Sequence, residues 1–447
     1  MDLKDFQFDH KFNIGKDSED LKNLIGSFDC ESFMGDIAKL ITFIDTPRIQ
    51  IYPFQGLDSP YRQLTYFACL NLSSPIDAIK NKEVESDEKW KEIVVQFLKV
   101  RAGYYEELLP KEGQESDEFL KFYKVAMPVF NNYFDTGNLD YEEQEVERVS
   151  SCFTPFDGLV CEKTGLLTKE FIDIYNIIFE SLEAAPNRVH HIKNSDPEAR
   201  AYMDKMKELK THPHDFAYDG PNDNIKFLVE FFRDRGGRFT VALEKLCASY
   251  DETKVKAFIS HFSIVRSDDP EYLYYTQPNK VLLKPLFVRK DGRLLIVDIK
   301  QLIHSIYRFL HEVLTSSPKS EAFYSRRGKE LQNKTAVLFK DFFGASALIY
   351  NEYKVNGNAQ DVLVLNKGLA LIIEVKSNKE FRFSGILIQS ISISSSWGLL
   401  RGVSRKATIS VGGSKNYSIL SKASIYSTSK TNFSTQLRRD DIRRFSQ

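Results

Sequence analysis

The sequence predicts an α+β protein, with a mainly helical N-terminal region followed by a smaller α/β core. Three observations carry this. Apolar residues recur at three- and four-residue steps over much of residues 1–318. Between 347 and 376 that spacing gives way to three short apolar runs of strand length, 347–355, 360–366 and 369–376. From residue 381 to 439 the chain carries no Asp or Glu, and 15 of those 59 residues are Ser.

Length and composition bound the rest. A chain of 447 residues, 42% hydrophobic and 28% charged, suits two or three domains with ample core. The formal net charge of −1 gives no global basic field, so any nucleic-acid contact must come from a local patch. No early apolar run reaches the length of a signal peptide or membrane span, and a cytoplasmic protein without membrane contact is the expectation. Five cysteines, Cys30, Cys69, Cys152, Cys161 and Cys247, lack the spacing of a disulfide framework and fit a reducing compartment. Cys152 and Cys161, with His190, His191, His212 or His214, are a poor zinc set, because structural sites place cysteines two to four residues apart.

In chain order, short helix patterns fall around 19–27 and 35–44, then a strand candidate at 48–54 and a turn marked by Gly56, Asp58 and Pro60. Helices are expected at 61–72, 87–109 and 117–134, the last divided at Pro128. The aromatic stripe of these helices, Trp90 and Phe97 among it, reads as core. Residues 135–165 read as loop, 168–185 as helix, and 186–222, polar with four prolines, as a surface excursion or hinge. Asp223 is placed to cap a helix ending at Gly236-Gly237, and further helix pattern runs to about 262. Runs 281–288 and 293–298 flank Lys290-Asp291-Gly292, a hairpin signal within 280–299. A helix over 300–314 leads to Ser316-Ser317-Pro318, the expected domain boundary. No catalytic motif stands out in residues 1–318, and no phosphate-binding Gly-rich loop is present anywhere in the chain.

The core at 319–383 carries the chemistry. Ala336, Val337, Phe339, Phe342 and Phe343 mark a helix, and Gly344 sits where a C-cap glycine belongs. Asn366-Lys367-Gly368 joins the last two runs as a tight turn. A turn centred on Lys367 and Gly368 places Asp361 directly opposite Glu374, with Cβ atoms roughly 4.5–5.5 Å apart. That suits two carboxylates sharing one divalent cation. Lys376, two residues on, is expected on the same strand face. The strand from Leu369 to Val375 is otherwise uncharged, which predicts a central position. The bland counterpart is a cross-strand salt bridge, since Glu-x-Lys is common by chance.

Helix, strand, strand with Asp and strand with Glu-x-Lys, over residues 321–380, resembles the PD-(D/E)xK nuclease superfamily, the restriction-endonuclease-like fold. The resemblance implies a site of Glu330, Asp361, Glu374 and Lys376. It also implies Mg²⁺, with Mn²⁺ as substitute, held by Asp361, Glu374 and the main-chain carbonyl of Val375, and DNA as substrate. Gln360 stands where the motif's proline would precede Asp361. The alternative is a non-enzymatic interaction protein carrying a degenerate or truncated core.

Residues 384–447 form the Ser-rich, acid-poor tail. Its β-branched and Ser-rich composition departs from the amphipathic helix that follows the Glu-x-Lys strand in such cores. The tail reads either as a disordered basic segment or as an out-of-frame continuation, which would leave the core incomplete.

Overall fold

The computed structural model describes residues 12–42, 54–81, 87–106, 141–209, 211, 215–233, 239–355, 358–367, 369–377 and 426–427, with isolated positions between 117 and 124. The expected strand at 48–54 (Phe54 excepted) and most of the helix at 117–134 lie outside them. The chain divides into two units, Met1–Gly137 with Phe156–Leu310 and Asn138–Pro155 with His311–Gln447. The second unit therefore begins before Pro318 and also takes in a segment from the middle of the chain.

In the first unit, α1 (Ile14–Gly26), α2 (Cys30–Thr42), α3 (Pro60–Leu72) and α4 (Asp87–Glu106) follow the expected helical spacing. Asn13 caps α1 by accepting from the Lys16 N–H. The aromatic stripe is core: Phe33 stacks on Trp90 at 5.7 Å, and Phe67 meets Phe97 edge-on at 5.4 Å. Arg266 gathers four carbonyls from the ends of α1 and α3, those of Gly26, Phe28, Ser74 and Pro75, at 2.7–3.0 Å. These are the acceptors that helix termini leave unpaired.

Much of the stretch expected as loop is helical. In the second unit α5 (Glu142–Phe153) forms, and in the first α6 (Asp157–Thr164) does. Three glutamates in the opening turn of α5 favour its start, and Gly165, at φ 77°, ends α6. The expected hinge is helix as far as Glu208. In the first unit, α7 (Thr168–Ser195) runs through Pro186, held by buried Val189 and Ile192, and α8 (Pro197–Glu208) starts at a proline. Proline costs a backbone bond inside a helix, which packing here offsets, whereas at the first helical position it costs none. After α9 (Asp223–Arg233) come β1 (Thr240–Ala242), α10 (Leu243–Ser249), α11 (Glu252–Phe262) and β2 (Ser263–Ile264). The expected hairpin forms as β3 (Leu286–Val288) and β4 (Arg293–Ile296), shorter than its apolar runs because Lys280–Leu282 is a 3₁₀ turn. The sheet order is β1-β4-β3-β2. Helix α12 (Ile299–Thr315) closes this unit and carries the chain into the next.

The second unit is built on α13 (Ser320–Phe343), followed by β5 (Leu348–Val355), β6 (Asn358–Asn366) and β7 (Leu369–Ile373). Phe323 of α13 stacks on Phe153 of α5 at 5.5 Å, and Lys334 pairs with Glu147 at 3.0 Å, which is why the mid-chain segment belongs here. The strands form an antiparallel sheet in the order β5-β6-β7. Val362, Val364 and Ile373 bury against Ala336, with Phe339, Phe343, Ile349 and Leu371 around them. Val337 and Phe342, expected on the apolar face, are instead 57% and 69% exposed, about a third of a turn or more away from that stripe. The predicted third strand breaks after Ile373. Lys376–Ser377 is a separate strand, β8, pairing in parallel with β9 (Tyr426–Ser427). Among the described strands β7 is thus an edge of its sheet, and β6 is central.

Candidate metal and phosphodiester site

The turn fixes the site. Asn366 pairs with Leu369, which leaves two positions for the turn, and Lys367 sits there at φ 44° as tight hairpin turns demand. The register runs without slip to Val362 opposite Ile373. Asp361 and Glu374 occupy the next pair of positions, immediately beyond the last ladder pair. Because Val362 and Ile373 face α13, strand alternation directs Asp361 and Glu374 to the other face of the sheet.

Beyond Ile373 the main-chain ladder stops and a side chain replaces it. Asp361 Oδ2 accepts the Val375 N–H at 2.7 Å. Its Oδ1 takes no hydrogen bond among the described residues. From α13, Gln332 Nε2 donates to the main-chain carbonyl of Asp361 at 2.8 Å. Asp361 is therefore held on both sides, by helix and by departing strand, with one carboxylate oxygen left open.

Glu374 is exposed, as expected for a strand end. Glu330 is half-buried on α13 and makes no hydrogen bond or ion pair among the described residues. Lys376 lies in β8, and its side chain is outside the described residues. The arrangement thus brings Asp361, Glu374 and the Val375 backbone together, whereas Glu330 stands on α13, which packs against the opposite face of the sheet.

Three residues at the site escape sequence reasoning. The ladder pairs Asn351 with Val362 and Tyr353 with Gln360, but skips Glu352, which stands opposite Asp361 on the β5 side. Glu352 adopts φ 52°, a conformation that costs a non-glycine residue about 1–2 kcal/mol. Its carboxylate pairs with Lys329 at 3.3 Å, and both groups are exposed. Next to it, the Tyr353 hydroxyl is buried without a hydrogen-bond partner. Burial, and secondarily the negative charge of Asp361, hold that phenol above its usual range and keep it protonated. Gln332 is the third. Its one sequence signal is a polar residue four positions before Ala336, on the core-facing stripe of α13.

Among the described residues no group of three or more His, Cys, Asp or Glu side chains is arranged to hold a metal ion. A Mg²⁺ site needs fewer. Mg²⁺ keeps several waters and commonly takes one or two carboxylates together with substrate phosphate. The open oxygen of Asp361, the facing Glu374 and the Val375 carbonyl fit that demand. The zinc set is likewise absent among the described residues, and the five cysteines are free. No described helix is long and apolar enough to cross a membrane.

Comparison with known proteins finds no matching family model, no matching curated protein and no matching solved structure.

Proposed function

We propose that this chain is a metal-dependent nuclease that hydrolyses DNA phosphodiester bonds, in the setting of defence or repair. One observation carries the reading: at the strand break, Asp361 is anchored through Oδ2 and keeps Oδ1 open, with Glu374 at the facing position. Asp361, Glu374 and the Val375 carbonyl would hold Mg²⁺ or Mn²⁺. The ion would supply Lewis-acid stabilisation of the phosphoryl oxygens and a lowered pKa for bound water. Lys376, two residues after Glu374, orients or activates the attacking water in this scheme. Glu330, on α13 against the opposite face of the sheet, is assigned no contact with the ion.

The test is cleavage of supercoiled duplex DNA by the purified full chain. Nicking or cutting with Mg²⁺ or Mn²⁺, none in EDTA, and weak activity with Ca²⁺ are the expected results, since the longer and looser Ca²⁺ coordination places water poorly. Cleavage that persists in EDTA rejects the site.

A second reading rests on a different observation. Leu348, Tyr350 and Ile372 lie exposed on the strands, and Val337 and Phe342 on α13. Apolar surface of this kind marks interaction sites. A well-folded protein that is silent with every metal would favour an interaction protein built on a nuclease-like core.

A further inference from the structure

We propose that this chain forms a homodimer through β7, whose free edge pairs antiparallel with the same edge of a second copy. Among the described strands β7 ends its sheet. Asn366 pairs with Leu369 across the tight turn, so these two exchange main-chain bonds, and in an antiparallel ladder such pairs alternate with pairs that do not. Leu371 and Ile373 therefore bond to β6, whereas the N–H and C=O of Ala370 and Ile372 point away from it. The same alternation turns the Val375 N–H to the β6 side, where Asp361 receives it. Among the described residues no main-chain partner takes up the outward groups of Ala370 and Ile372.

Natural sheet edges are guarded against pairing by charge, proline, bulges or short length. At the other side of this sheet, β5 carries Glu352 at φ 52°, skipped by the ladder, and the exposed charges of Glu352 and Lys354. The edges of the sheet in the first unit, β1 and β2, are only 3 and 2 residues long. In contrast β7 runs 5 residues, Leu369–Ile373, without charge, proline or bulge. What fits this edge is its own sequence. Full overlap of the two strands puts Leu371 on a two-fold axis, and Ala370 of one protomer then exchanges main-chain bonds with Ile372 of its partner. Lys367 is exposed just before β7, and Glu374 is exposed just after it. Antiparallel overlap brings the Glu374 end of each protomer alongside the turn that carries Lys367 in the other. A strand with a cation at one end, an anion at the other and apolar residues between is complementary to itself in that orientation. Pairing uses up the edge, so assembly stops at two. So short a strand buries little area, and the dimer should dissociate on dilution. The metal site plays no part in this inference.

Sedimentation velocity of the full chain over a wide concentration range, in EDTA, tests it. Wild type is expected to pass from monomer to dimer and to nothing larger. Ala370→Pro removes an outward N–H that β6 does not use, and should raise the dimer dissociation constant at least about tenfold with an unchanged melting temperature. Lys367→Glu and Glu374→Lys should each weaken the dimer, and the double variant should restore it. Wild type that stays monomeric at every soluble concentration, or that grows beyond a dimer, overturns the proposal. So does a dimer that Ala370→Pro leaves intact. Should Ala370→Pro melt lower than wild type, the charge reversals decide: a dimer indifferent to both, or one not restored in the double variant, overturns the proposal.

Discussion

Gln332 Nε2 donates to the main-chain carbonyl of Asp361 over 2.8 Å, so helix α13 supplies a partner where the β5–β6 ladder skips its Glu352–Asp361 pair. Gln332 is buried. Gln332→Ala would leave that carbonyl without its donor, and a loss of about 1–3 kcal/mol is expected from urea unfolding of the full chain. Gln332→Glu, which presents an acceptor to an acceptor, is expected to be no better tolerated.

Asp361 has a structural duty as well as its proposed chemical one. Sequence reasoning alone expects Asp361→Ala to fold normally, through relief of repulsion with Glu374. The bond from Val375 N–H changes that expectation. Asp361→Ala should lose about 1–3 kcal/mol of stability, and Asp361→Asn, which retains an accepting oxygen, distinctly less. Both should lose cleavage by more than the roughly 10–100-fold typical of an outer partner. Denaturant midpoints and nicking rates measured on the two variants separate the duties.

Lys376→Ala is expected to lower the cleavage rate by about 10²–10⁴-fold, the usual weight of a positioned proton-transfer group, while Mn²⁺ affinity holds. Single-turnover rates at saturating metal, beside a binding titration, check this. Cleavage undiminished in the variant would take Lys376 out of the site.

Asp298 yields a pH prediction for the first unit. Its carboxylate accepts from the Lys300 and Gln301 N–H groups at the start of α12, yet burial raises its pKa above the ordinary value. A raised carboxylate pKa means the folded state binds the proton more tightly. The contribution is most favourable below the unfolded value, declines as pH rises from about 4 to the folded pKa, and is constant above it. Asp298→Asn, also a good helix-start residue, should be more stable than wild type at neutral pH and should lose this part of the slope. Urea midpoints across the acid range test it.

Thiol reactivity should divide the cysteines. Burial pushes Cys30 up to about 12 and also raises Cys69 and Cys152, whereas Cys161 and Cys247 are only half-buried. An aromatic disulfide reagent at neutral pH is expected to modify Cys161 and Cys247 in the native protein, and the other three only after denaturation, as read by peptide mass mapping.

The facing of Asp361 and Glu374 was legible in the sequence because it depends on a two-residue turn and the period of a strand, both local. Helices α1 to α4 and α13 were legible for the same reason. Pro186 shows the opposite case. Its local signal argues against helix, and only the burial of Val189 and Ile192 explains why α7 continues through it. The break after Ile373 left no sequence mark, since an uninterrupted apolar run cannot show where its hydrogen-bond partner leaves. Glu352, Tyr353 and Gln332 depend on which chain segments meet, which the order of residues does not disclose.

The cluster of carbonyls around Arg266 also sets a schedule for synthesis. Pro75 and Arg266 are 191 residues apart in the chain, and Gly26 and Arg266 are 240 apart. At a ribosomal pace of about 5–20 residues per second, the ends of α1 and α3 emerge roughly 10–50 s before the guanidinium that joins them exists. Until then the Gly26 and Ser74 carbonyls are served by water or by whatever binds the nascent chain, while those of Phe28 and Pro75 also have Asn71 Nδ2 and the Ala78 N–H as donors. The opening helices are made first but are finished only once residue 266 has emerged.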